Sequence, residues 1–564
     1  MIGILAKEGE AGAVEEFFQL FKTPWEFWQP GRRYAVVLAT RDEIPQDLEA
    51  EALIICRGHA IEFDRQIGVV AESLESCGGL EWQDIEFPVY GDVVALHGAG
   101  SVLLRSKETS KPTGFLVTGS ERPVVRIGFD WFAEAAFLLS QGQPAKNARI
   151  PTLEIHIALL RAILETLQIA FVEVPAAPHG YDFAASLTHD VDFVGIRDHK
   201  FDRTTWGFLY RATLGSLLKA LGGRLAWRKC LRNWKAAFSL PFVHLGLAKD
   251  FWPEFDRYQA IEREFGSTFF FLPFSNTPGR LGSESAPGIR AAKYDLADLH
   301  EELARLVESS CEIGLHGVDA WRDPQRARVE RERIAALTAQ PVPGIRMHWL
   351  YWDQNSPRIL ENAGFSYDST FGYNDAVGFR AGTAQPFRPL DAVSLIELPL
   401  IIQDSAMFYG GRMNLSEADA LRTAGDIIQN MASAGGALTI NWHTRSLSPE
   451  RLWGEAYATL LGQIRKHRVW FGTAEDVVAW FRARRALRFD SLHIDEHCVG
   501  VTITGSSGPV QPRFTVRIYD PRAENVCDTA KSPGSRWIEH AWNGEGVLEI
   551  STISVTGTPH PACV

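Results

Sequence analysis

Between residues 181 and 487, short apolar runs alternate with helical stretches, and this alternation limits the possible folds more than any other feature. The runs are FAASLTHD (183–190), TFFFLPF (268–274), EIGLH (312–316), PGIRMH (343–348), IELPLI (396–401), ALTINWH (437–443) and VWFG from 469. Helical patterns fill the gaps at 251–265, 295–310, 324–339, 416–434, 449–467 and 474–486. Strands separated by helices cannot pair as hairpins, so the pattern predicts a parallel sheet or barrel. Ser416 with Asp419, and Thr473 with Asp476, have the spacing of helix-capping boxes.

The flanks differ from this region. Residues 1–178 read as a separate α/β domain, with strands expected at 35–40, 52–58, 93–98 and 114–119 and a helix from Pro151 to Ala170. A flavodoxin-like arrangement is expected there, with no recognisable catalytic triad. The Pro-rich link VPAAPHG (174–180) marks a boundary, and the barrel-like region is taken as 179–487. From 488 to 564 helical patterns stop. VGVTITG, FTVRIYD and GVLEISTISVTG read as strands of a small β-rich module.

The formal charge of −12 gives no case for nucleic acid as the main partner. Charge is nevertheless uneven: Arg197 to Lys235 holds ten Lys/Arg and two Asp. This basic stretch lies in an insertion at 197–245, and WGFLYRATLGSLLKALGGRLAWRKCLRNWK (206–235) mixes Trp, Leu and Phe with regularly spaced cations. Two readings are open. One is peripheral contact with an anionic membrane through 205–235. The other is a helical insertion packed on the barrel, with Gly222 and Gly223 interrupting it. The seven cysteines are scattered, with no C-x-x-C pair, which favours a reducing compartment. With no signal-peptide pattern and no apolar run of about 18–20 residues, a cytoplasmic protein is expected.

Polar residues gather where the apolar runs end. Thr188-His189-Asp190-Val191-Asp192 closes the first run and His316 the third, with Asp319 three residues on. Arg346 and His348 close the fourth, Asp404 follows the fifth, and His443 closes the sixth. In α/β barrels, strand C-terminal ends face the active site. Asp190 and Asp192 alternate with His189 and so share one face, leaving His189 on the other. Two carboxylates so close need a cation or hydrogen bonds to stay ionised. Singly, each group reads as an ordinary turn acid or strand-end histidine. Together on one rim they point to a metal site, and zinc accepts both imidazole and carboxylate while keeping a position open for water.

These residues, in this order, resemble the polysaccharide deacetylase family, the NodB homology domain of carbohydrate esterase family 4. THDVD looks like its first motif in a D-x-D variant, EIGLHGVDAW its second and GIRMHWLYWDQNSPRILENAGFSYDST its third. The Asp404 region resembles the fourth and LTINWH the fifth. The resemblance covers residues 181–487 and implies a distorted (β/α) barrel of about seven strands. It implies a divalent metal, Zn²⁺ first, on Asp192 and His316, with Asp190 as general base. Arg346 would hold Asp190, His443 would be the general acid, and Asp404 would orient it. His348 and Trp442 are left for substrate contact. The family's second motif commonly reads H-x-x-x-H, but here Ala320 stands four residues after His316, and Asp319, or else a water, is expected to take over as ligand. The implied activity is hydrolytic removal of N-acetyl groups from an amino-sugar-containing carbohydrate. Hydrolysis of a non-sugar C–N bond, or carbohydrate binding without catalysis on a degenerate barrel, stay open beside it.

Overall fold

In a computed structural model, residues 1–117, 119–494, 498–521 and 537–553 are described. The chain forms two compact units. One comprises Tyr181–Arg380 with Ala384–Val478, the other Met1–Gly180 with Ala381–Thr383 and the segment from Ala479 onward.

The first of these units contains the alternating region. Its strands are β1 (Phe183–Val191), β2 (Ser267–Phe271), β3 (Glu312–Gly317), β4 (Gly344–Met347), β5 (Tyr367–Asp368), β6 (Ile396–Glu397), β7 (Ile402–Gln403), β8 (Ala437–Asn441) and β9 (Val469–Phe471). All pair in parallel, in the order β6-β5-β4-β3-β2-β1-β8-β7, with β9 beside the start of β1. Seven expected strands thus become nine. Tyr367–Asp368 was too short to stand out, and the run at 396–401 supplies one short strand, Ile396–Glu397, with a second, Ile402–Gln403, just past its end at the opposite edge of the sheet. Only four residues join those edge strands, which holds them within about 17 Å at that end. The sheet therefore curls into an open barrel.

Helices cover its outside, and the hydrophobic core lies between, with Leu187, Phe269, Leu315, Ile345 and Ile440 fully buried. Inside the barrel the Phe270 ring fills space beside Gly314, where any Cβ would meet it at 2.5 Å. Both expected caps form. Ser416 accepts the Asp419 N–H, while Thr473 and Asp476 exchange hydrogen bonds reciprocally.

The other unit departs from the flavodoxin-like expectation. Five parallel strands (Trp25–Phe27, Ile2–Leu5, Tyr34–Ala39, Ala50–Cys56 and Val124–Ile127) continue into four antiparallel ones. Gly100–Ser106 and Pro112–Val117 are five residues apart, too close for a helical crossover, so they form a hairpin. Val94–His97 pairs elsewhere, with Val70–Ser73. The C-terminal segment is β-rich. Arg488–Ile494, Cys498–Thr504 and Val547–Ile553 form one antiparallel sheet, and Phe514–Tyr519 bridges Phe171–Glu173 and Trp537–Trp542 in another. Cys527, Cys563 and the end of the last expected strand (554–557) lie outside the described residues. Among the described residues, no helix is long and apolar enough to cross a membrane.

Candidate active site

Strand alternation sorts the first motif. Thr188 and Asp190 point into the barrel, and His189 points out to the helices. There His189 Nδ1 meets the Trp442 carbonyl at 2.7 Å and Nε2 meets buried Glu262 at 3.1 Å.

Asp190 is buried and held from two sides. Arg346 donates to its Oδ1 at 3.0 Å and to the Thr188 hydroxyl at 2.7 Å, while its remaining N–H groups bond Ser369. Asn441 donates to Asp190 Oδ2 at 2.7 Å, and its own Oδ1 accepts the Asp190 backbone N–H at 3.2 Å. Burial alone would raise the Asp190 pKa, but the neighbouring His316, Arg346 and His443 outweigh it and hold the carboxyl below its ordinary value.

Asp192, His316 and His348 form a second group, whose donor atoms all lie within 4.8 Å of one another. Asp192 Oδ1 is 3.3 Å from His316 Nε2 and 3.5 Å from His348 Nε2. The His316 Nδ1 contacts the Arg346 carbonyl at 2.9 Å. With the proton on Nδ1, that bond leaves Nε2 as a free lone pair. Burial lowers the His348 pKa to about 3, so its ring is neutral at physiological pH. Arg290 fixes the backbone here, donating to the His348 and Val318 carbonyls at 2.9 and 3.0 Å. The chain then leaves β4 through a left-handed turn at Trp349 and Leu350.

These residues fit a divalent cation. Asp192 Oδ1 is buried without a hydrogen-bond partner, although two imidazoles stand beside it. A buried carboxylate oxygen with no hydrogen-bond donor gains a partner when a cation binds between it and the ring nitrogens. Two imidazoles and one carboxylate form a recognised donor set for catalytic zinc and related divalent ions.

Asp319 is not in this group. Its carboxylate accepts the Arg280 backbone N–H at 2.8 Å, and its own N–H donates to buried Glu330 at 2.8 Å. The loop after β3 is tied to that helix residue, which commits the Asp319 side chain elsewhere. His348, expected from sequence to touch substrate, stands in that place instead, its Nε2 3.5 Å from Asp192 Oδ1. Trp442, also expected there, is buried in the core against Tyr457 and Phe408. It follows Asn441 on the opposite face of the strand, so alternation turns it outward.

His443 completes the site. Its Nδ1 meets Asp404 Oδ1 at 2.6 Å and its backbone N–H donates to Asp404 Oδ2 at 2.9 Å. Asp404 is fully buried and also accepts the Ser446 hydroxyl and the Ser405 N–H. Burial disfavours the imidazolium, but Asp404 above all, then Asp192 and Asp190, push the His443 pKa up to about 9. Its Nε2 lies 3.7 Å from Asp192 Oδ2.

All five of Asp190, Asp192, His316, His348 and His443 line one cavity of about 1180 Å³. Aromatic side chains (Trp206, Tyr210, Trp349, Tyr409 and Trp453) share its lining with Arg203, Arg211 and Arg412. Sequence reasoning missed Asn441 and the ligand position of His348. The signal for Asn441 was its place two residues before His443, on the face that Trp442 leaves.

No family model matches the sequence, and no curated protein matches it. Among solved structures, the chain is similar to a provisionally named polysaccharide deacetylase from Mycobacterium smegmatis. That likeness has 19% identity and a TM-score of 0.35, and covers 55% of this chain and 95% of the other. It is also similar to Puue allantoinase, with 15% identity, a TM-score of 0.33 and coverage of 54% and 92%. A third is BA3943 from Bacillus anthracis, described as a CE4 family pseudoenzyme, with 10% identity, a TM-score of 0.24 and coverage of 54% and 66%.

Proposed function

We propose that the barrel unit is a metal-dependent amide hydrolase that removes N-acetyl groups from an amino-sugar-containing carbohydrate. The observation that carries this reading is the division of labour in the cavity. A three-donor cation site at Asp192, His316 and His348 stands beside two separately anchored proton-transfer groups, Asp190 and His443.

Bound by those three residues, a divalent ion, Zn²⁺ first, would polarise the amide carbonyl and make water a better nucleophile. The chain's own residues handle the protons. Asp190, kept ionised by Arg346 and Asn441, accepts one from the attacking water. His443, kept protonated by Asp404, gives one to the departing amine, without which the C–N bond cannot break to a stable product. Asp404 fixes the ring so that Nε2–H faces the cavity. The aromatic walls suit the C–H faces of sugar rings, and the polar groups between them suit hydroxyls.

The test is acetate release from N-acetylhexosamine oligomers, before and after chelation and again after adding Zn²⁺. Release that is lost on chelation and restored by the metal supports the reading. A fully metal-loaded protein that releases no acetate but cleaves a non-sugar amide would reassign the substrate. Failure to retain any divalent ion would favour carbohydrate binding without catalysis.

A further inference from the structure

The helical insertion carries apolar side chains on its outer surface as well as its inner one. Its helices are α1 (Arg203–Tyr210), α2 (Ser216–Leu221) and α3 (Trp227–His244), with a π-helical turn at Arg211–Gly215 joining the first two. The inner faces are satisfied. Phe208, Ala212, Ala236, Ala237, Leu240 and Val243 pack with Ile196 and Trp252 in a closed cluster.

The outer face of α3 presents Trp227, Leu231, Phe238 and Phe242, with Lys235 completing the stripe. The spacings of four, four, three and four residues follow one side of a helix. Phe238 is 72% exposed and Leu231 63%. A second stripe runs along α1 and α2 through Trp206, Tyr210, Leu214, Leu218 and Leu221, all exposed. Four-residue steps drift round a regular α-helix, and the wider π turn offsets part of that drift. An exposed aliphatic and aromatic surface of this extent marks an interaction site.

The charge of the segment selects the partner. Residues 201–247 contain eight Lys/Arg and one acid, Asp202, in a chain whose formal net charge is −12. Arg211, Arg228 and Lys229 are used internally, in ion pairs with Glu450, Glu455 and Glu417. Arg232 and Lys235 stay on the exposed side of α3 beside its apolar stripe. Leucines are of no use to a nucleic-acid backbone. Aromatics and leucines flanked by cations match the interface of an anionic bilayer, where the apolar stripe enters the acyl boundary and the cations meet lipid phosphates.

We propose that the 201–247 hairpin is a docking surface for anionic membranes. Trp206, Tyr210 and Leu218 also line the cavity of the candidate active site, so docking would bring the cavity's rim to the bilayer. Resting on the hydrolase reading, this makes a membrane-anchored glycan the substrate class. Docking itself does not depend on that reading.

The experiment is flotation of the full-length protein with vesicles of phosphatidylcholine alone and of phosphatidylcholine mixed with phosphatidylglycerol, at low and high salt. Two variants accompany it: Leu231→Ser/Phe238→Ser/Phe242→Ser, and Arg232→Gln/Lys235→Gln. All the substituted side chains are exposed, and unchanged thermal unfolding would show that both variants fold. The wild type is expected to float with the anionic vesicles and to release as salt rises. Both variants should bind at least about tenfold more weakly. Absence of wild-type flotation at low salt overturns the proposal, as does equal binding by the triple-Ser variant. A dimer that the triple-Ser variant abolishes, with no vesicle binding, would also overturn it and give the stripe to a second copy. Acetate release from soluble oligomers, measured alongside, separates failure of docking from failure of the hydrolase reading.

Discussion

Asn441 and Asp190 hold each other in two directions. The Asn441 amide donates to Asp190 Oδ2 at 2.7 Å, and its carbonyl accepts the Asp190 backbone N–H at 3.2 Å. Replacing Asn441 by Asp keeps the shape, removes the donor and sets a second carboxylate against the first. Repulsion would raise the Asp190 pKa from its depressed value. The acid limb of the rate profile should therefore move to higher pH. Stability should fall by about 1–3 kcal/mol through the broken bond, read by denaturant unfolding.

His443→Ala is expected to keep its metal and lose turnover by about 10²–10⁴-fold, the usual contribution of a positioned acid or base. Metal analysis beside a rate assay checks this. Loss of the ion in that variant would make His443 a ligand.

Asp404 keeps His443 protonated, so activity should persist through neutral pH and decline as pH rises through about 9. The folded pKa is raised above the unfolded value of about 6.5. The stabilisation from this pair is therefore complete below about 6.5 and lost as pH rises through about 9. Asp404→Asn should shift the alkaline limb of the rate profile downward. An unmoved limb would show that Asp404 does not hold that proton.

Arg346 is fully buried against Asp190. Arg346→Leu leaves a buried carboxylate without its cation, which typically costs about 3–5 kcal/mol. Thermal and urea unfolding should show that loss, larger than for a surface arginine such as Arg33, whose pair with Glu51 is exposed.

Sequence alone made the barrel legible because its strands are short, apolar and separated by capped helices. The pairing of Asp190 with Arg346, and of His443 with Asp404, was implied by the family resemblance, while residue types at strand ends placed those groups only on one rim. Two-residue strands such as Tyr367–Asp368 escaped because so few residues carry no periodic signal. Asp319 was misplaced because distance along the chain from His316 says nothing about Glu330 and Arg280, which hold that loop from elsewhere. His348 was assigned to substrate because its approach to Asp192 depends on how the β4 turn at Trp349 and Leu350 is held by Arg290. That contact lies between residues far apart in sequence. Trp442 was a local error, since alternation with Asn441 already placed it on the core face.

We propose that His348, not Asp319, completes the cation site with Asp192 and His316. Metal content per chain, measured for the wild type, His348→Ala and Asp319→Asn after identical loading with Zn²⁺, tests it most directly. One cation per chain is expected in the wild type and in Asp319→Asn, and a severe loss in His348→Ala. Full occupancy in His348→Ala, with loss in Asp319→Asn, would contradict it.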